Sequence, residues 1–123
     1  GAYKKIVSTT LRKFKSSGSN FNDLIVVIGP CIGKDNYEVR NDFLDKFIKQ
    51  KKFNKKFFKT KRNKIYFSLI DYIKDQLVKF GVKNIEIIKK DTYLLSNNFF
   101  SARRSIKNKL NDYGRNISVI MIK

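Results

Sequence analysis

Apolar residues recur along this chain in two rhythms, and the switches between them mark out its elements. Tyr3, Ile6, Val7, Thr10, Leu11 and Phe14 fall three and four apart, which predicts an amphipathic helix over residues 2–15 with lysines on its outer face. Ser16-Ser17-Gly18-Ser19-Asn20 ends that rhythm, and Phe21 to Asp23 leads into Leu24-Ile25-Val26-Val27-Ile28. This run is too short for a helix and apolar at every position, so it reads as a strand buried on both faces. Gly29 and Pro30 stop it, and the loop Gly29-Pro30-Cys31-Ile32-Gly33 holds the only proline and the only cysteine. Asp35-Asn36 predicts a turn, with Tyr37-Glu38-Val39 as a short extended piece beyond it.

The helical rhythm resumes over 41–50, with Asn41 as the expected cap and Phe43, Leu44, Phe47 and Ile48 facing inward. Residues 51–64 are basic and irregular, anchored by Phe53, Phe57 and Phe58, with short strands expected at 56–59 and 64–67. Ser68-Leu69-Ile70-Asp71 resembles a capping box in which Asp replaces the usual Glu or Gln. It opens a helix whose stripe is Leu69, Ile70, Ile73, Leu77 and Phe80, closed by Gly81 where a C′ glycine belongs. Asn84 to Ile88 is the next strand; Asp91-Thr92-Tyr93 and Ser96-Asn97-Asn98 are connections. A loop Phe99–Arg104, a charged stretch, a Gly114-Arg115 turn and a terminal strand Ile117–Ile122 complete the chain. No internal repeat or boundary interrupts the order, so residues 1–123 read as a single domain. Its class is an α/β (α+β) sandwich, a mixed β-sheet packed with about three helices.

Charge changes this picture more than length does. Lys and Arg number 28 against 10 Asp and Glu, a net +18, and such a field attracts phosphates, nucleic acid or anionic lipid. AT-rich codon usage, which favours Lys, Asn, Ile and Phe together, produces the same surface without any partner. Histidine is absent, which removes the usual general base and the commonest metal ligand together. With one cysteine, neither an ordinary zinc site nor a Ser-His or Cys-His pair can be built from this chain. The single cysteine also excludes an internal disulfide and suits a reducing cytoplasm, and no apolar run reaches the length of a membrane span.

Three places carry candidate chemistry. Cys31 is either a pocket-lining thiol or a small hydrophobe filling a tight turn. Phe99-Phe100-Ser101-Ala102-Arg103-Arg104 sets two guanidinium forks beside two aromatic rings, a grip for phosphate with a face for a base, or else core anchors with one ion-paired arginine. Arg115 is a third guanidinium able to converge there. The lysine-rich stretch from Lys49 to Lys64 reads as a nucleic-acid stripe or as a solvated loop.

Five segments in order, IGPCIGKDNYEV, DQLVKFGVKNIEII, DTY, NNFFSARRS and YGRNISVIMI, resemble the C-terminal half of the YfiH-like family, the multicopper polyphenol oxidoreductase laccase domains also described as purine-nucleoside enzymes. Asp91 stands where the family usually has Cys before Thr-Tyr, and Ala102 where it usually has Tyr. The family's metal ligands, two His and one Cys, belong upstream of Gly1, and Gly1-Ala2-Tyr3 resembles the residues just after its His-x-Gly-Trp-Arg-Gly motif. The resemblance implies the second half of a cytoplasmic, zinc-dependent (or copper-associated) enzyme of purine nucleoside phosphorolysis or adenosine deamination, inactive as this chain alone. It implies a purine nucleoside and phosphate as partners, with Cys31, Phe100, Arg103, Arg104 and Arg115 as candidate binding residues and no metal ligand carried over. The alternatives are a non-catalytic polyanion or nucleic-acid binder, and self-association through uncovered strand edges.

Overall fold

The computed structural model describes residues 1–121. Four α-helices, α1 (Ile6–Ser16), α2 (Asn41–Gln50), α3 (Leu69–Lys79) and α4 (Ala102–Lys107), pack with five short strands and two 3₁₀ turns, Lys52–Phe57 and Leu95–Asn97. The strands form two ladders. β1 (Ile25–Ile28) runs parallel to β5 (Asn84–Ile87), with Ile25 opposite Asn84 and Ile28 opposite Ile87. β4 (Lys64–Phe67) lies between β2 (Glu38–Val39) and β3 (Phe58–Lys61), antiparallel to both. The α/β class with both parallel and antiparallel pairing is therefore the observed one.

Each ladder has its own core. The antiparallel side closes around aromatic rings: Phe47 and Phe67 are fully buried, and Val39, Phe57 and Tyr72 complete the cluster. The parallel side is aliphatic, with Leu11 from α1, Ile28 from β1, Leu77 from α3 and Val82 after it. Helix α3 is the shared wall, giving Tyr72 to one core and Leu77 to the other. Gly81 follows its C-terminus at φ +91, the left-handed turn that only glycine takes without strain.

Several expectations are corrected. β1 is not buried on both faces: Val26 and Ile28 face the core with Ile85 and Ile87, whereas Ile25 is 71% and Val27 48% exposed. Among the described residues β1 pairs only with β5, so one face and one edge stay open. The predicted strand over 117–122 has no counterpart as far as Met121; residues 111–121 are exposed and pair with no strand, and Ile122 lies outside the described residues. Helix α1 begins at Ile6 because Lys5 takes a left-handed φ of 57°, and residues 2–5 form turns. Arg40 occupies the cap position of α2, with Asn41 already inside the helix. At α3 the Ser68 hydroxyl donates to the Asp71 carboxylate instead of capping the backbone. The strand expected at 56–59 lies at 58–61, displaced by the 3₁₀ turn before it. Arg103 and Arg104 sit in α4, not in a loop, because Ser101 caps that helix by accepting from the Arg104 amide at 3.3 Å. Among the described residues no helix is long and apolar enough to cross a membrane.

Candidate functional site

The loops leaving β1 and β5 meet at the carboxyl ends of the parallel pair, the position where open α/β sheets place ligands. The Thr92 amide donates to the Cys31 carbonyl at 3.0 Å and zips the two loops together. Asp91 organises the junction. One of its oxygens accepts from Asn36 Nδ2 at 2.7 Å and the other from the Tyr93 amide at 2.8 Å. Its main-chain carbonyl accepts from Asn97 Nδ2 at 2.8 Å. The carboxylate lies so close to Gly33 that a Cβ there would run into Oδ2, so a larger residue would have to displace Asp91 from its partners.

Arg104 fixes the second layer of the junction. Nη1 donates to the carbonyls of Thr92 (3.0 Å) and Tyr93 (2.8 Å), and Nη2 to that of Phe99 (2.6 Å). A planar fork suits this stapling, which commits much of its donor capacity to backbone. Arg103, one residue earlier, points elsewhere. Its Nη1 donates to the Glu38 carbonyl at 2.6 Å, and its guanidinium carbon lies 5.3 Å from the centre of the Tyr37 ring. Its side chain borders a cleft of about 590 Å³ between β2 and α4, shared with Arg40, Lys64, Tyr66, Tyr93 and Lys107. The Lys107 ammonium lies 5.7 Å from the centre of the Tyr93 ring.

The other candidates fall outside this cleft. Cys31 is half-buried and lines an apolar groove of about 570 Å³ along β1 and α1. Burial pushes its thiol pKa up and the Asp91 charge adds to that, the opposite of what activates a nucleophile. Phe100 is clasped by Asn116, which accepts from its amide at 3.0 Å and donates to its carbonyl at 2.8 Å. Its ring packs on Gly114, where a Cβ would run into the ring. Arg115 places its guanidinium over Tyr113, at 5.3 Å. The five candidates therefore occupy a cleft of mixed charge lined also by Asp35, Glu38 and Asp42 (Arg103), its backing (Arg104), an apolar groove (Cys31) and a C-terminal clasp (Phe100, Arg115). Reading the sequence missed Asp91, Asn36 and Tyr93 as organisers, although Asp91-Thr92-Tyr93 has the Asx-turn form that would have pointed to them.

Among the described residues no group of three or more His, Cys, Asp or Glu is placed to hold a metal ion. Cys31 and Asp91 are neighbours, but the Asp91 oxygens already accept from Asn36 and Tyr93. The residues present do not fit a zinc or copper centre.

The family model described as multi-copper polyphenol oxidoreductase laccase matches residues 1–123. The chain belongs to this family. A Rickettsia prowazekii protein named a purine nucleoside phosphorylase is 33% identical over 125 residues, covering 100% of this chain and 51% of its own length. A Rickettsia conorii protein of the same name is 35% identical over 107 residues, covering 85% of this chain and 44% of its own. The chain thus spans about half the length of the curated relatives it matches. The crystal structure of Bacillus licheniformis hypothetical protein YfiH superposes with a TM-score of 0.74 at 30% identity, over 86% of this chain and 42% of that one. The laccase-family fold seen here is the YfiH fold.

Proposed function

We propose that this chain is the C-terminal part of a laccase-family purine nucleoside enzyme and contributes the walls of its nucleoside and phosphate site. The observation that carries the reading is the cleft between β2 and α4. Arg103 and Lys107 present cations to it, and the rings of Tyr66 and Tyr93 border it. Guanidinium and ammonium donors hold phosphate oxygens, and tyrosine faces receive a flat base. Arg104 is a positioning residue here, since it holds the Tyr93 and Thr92 carbonyls and so fixes the Tyr93 side of the cleft.

Phosphorolysis of a purine nucleoside exchanges the base at the sugar C1′ for a phosphate oxygen, giving free base and ribose 1-phosphate. Both reactants must be held together, and proximity supplies much of such a rate. The names carried by the two rickettsial relatives support this substrate class. The lack of histidine, and of a three-donor cluster among the described residues, supports a chain that binds these reactants without turning them over by itself.

The test is equilibrium binding of inosine with phosphate, alongside metal analysis and an assay for inosine phosphorolysis and adenosine deamination on the purified chain. The expected result is saturable binding lost in Arg103→Ala and Tyr93→Leu, with no stoichiometric metal and no turnover. Stoichiometric metal with clear turnover would overturn the inactivity, and binding indifferent to both substitutions would overturn the cleft.

A further inference from the structure

The β3–β4 hairpin is apolar on one face and cationic on the other. Its register pairs Phe58 with Phe67 and Thr60 with Ile65 on the face that meets the aromatic core. Alternation puts Lys59, Lys61, Lys64 and Tyr66 together on the opposite face. The tip, Arg62-Asn63, has φ of 49° and 57°, the doubly left-handed two-residue turn that matches the twist of paired strands. Lys61 stands directly across from Lys64, and like charges so placed destabilise a ladder. Glu38 neutralises Lys64 at 3.0 Å. Lys59, Lys61 and Arg62 form no ion pair among the described residues, and neither does Lys34, which borders the same cleft of about 470 Å³. The carboxylates bordering that cleft are Asp35 and Asp71, and Asp71 already accepts the Ser68 hydroxyl.

We propose that this hairpin face binds single-stranded nucleic acid, its phosphodiester backbone along Lys59, Lys61 and Arg62 and a base resting on Tyr66. Lys59 and Lys61 are two residues apart on one strand, about 6.8 Å, a spacing that follows successive phosphates of an extended strand. Tyr66 has Lys59 opposite it on β3 and Glu38, already paired with Lys64, on β2, and a ring beside a row of cations is the arrangement by which unpaired bases stack while the backbone is held electrostatically. A duplex hides its base faces and leaves Tyr66 without a role. Tyr66 and Lys64 border both this cleft and that of Arg103, whereas Lys59, Lys61 and Arg62 border the hairpin cleft alone, so losses on changing these three report on the hairpin and not on the nucleoside reading.

Fluorescence anisotropy of a short labelled oligo(dT) against the full chain, from about 50 to 200 mM salt, tests it without any assay of turnover. Lys59→Ala/Lys61→Ala/Arg62→Ala is expected to weaken binding by about tenfold or more at low salt and to lower the slope of log affinity against log salt by about two. Lys59→Arg/Lys61→Arg keeps binding. Removing Lys4, Lys13 and Lys15 near and on α1, the same loss of charge, changes affinity by less than about twofold, since none of them borders the hairpin cleft. If the triple variant unfolds on a circular-dichroism melt, Lys59→Gln/Lys61→Gln is read in its place, with a slope change of about one. Equal losses from the hairpin and helix variants, no binding at low salt, or tighter binding of a duplex of equal length would each overturn the proposal.

Discussion

The two cores of this molecule are closed to different degrees. Around the antiparallel ladder, Phe47, Phe57, Phe67 and Tyr72 interlock from α2, the 3₁₀ turn, β4 and α3, with the Phe47 and Phe67 ring centres 5.0 Å apart. Around the parallel pair, aliphatic side chains fill one face while Ile25 and Val27 stay open on the other. The hydrophobic residues of β1 and β4 look equally strand-like in sequence, yet one strand is central and the other is an edge. Burial is decided by neighbours, and a β-branched run only qualifies a strand to have them.

That contrast can be broken most directly in the cores themselves. Phe67→Ala, which empties a fully buried site, is expected to cost about 3–5 kcal/mol in urea unfolding, and Ile25→Ala less than about 0.5 kcal/mol. Similar losses at both positions would show β1 to be covered in solution. Next in size is Arg104→Leu. It leaves the carbonyls of Thr92, Tyr93 and Phe99 without their charged donor, at about 1.5–3 kcal/mol, and should weaken nucleoside binding through Tyr93. A variant as stable as the parent would remove Arg104 as the staple of the site.

The smallest effect concerns the seam between the 3₁₀ turn and α3, where Asp75 bonds Lys56 at 2.7 Å and also pairs with Lys79. Burial alone would raise the Asp75 pKa, but the two lysine hydrogen bonds and their charges outweigh it and hold the carboxyl below its usual value. A lowered folded pKa contributes stability that is present above the unfolded carboxylate pKa and lost as pH falls through the folded one. Asp75→Asn should therefore cost under about 1 kcal/mol at neutral pH, the lysines being half exposed. The gap to the parent should close in acid, measured by thermal midpoints across pH, and a gap that widens in acid would reverse the assignment.

How much of the site was legible follows the same logic. The Gly29–Gly33 loop and the Phe99–Arg104 stretch stood out by residue type, and both reach the junction at the strand ends. Their roles were not legible, because Arg103 and Arg104 are adjacent in sequence and diverge in space. A helix turns about 100° per residue, so α4 sends Arg104 into the carbonyls behind Tyr93 and Arg103 toward Tyr37. The Asn116 clasp brings the C-terminal segment beside Phe100, as the sequence allowed for Arg115, but the Arg115 guanidinium lies over Tyr113 and not in the cleft of Arg103.

Local signals in the chain were enough to establish the rhythm of helices and strands, the glycine stop after α3 and the absence of imidazole. These depend on residue type and near spacing, which a linear string states completely. Which strands became neighbours, which face of β1 met the core and which way each arginine turned depended on contacts between residues as far apart as Glu38 and Arg103. Those contacts exist only when distant segments are brought together, because chain connectivity alone does not say which backbone groups will find each other.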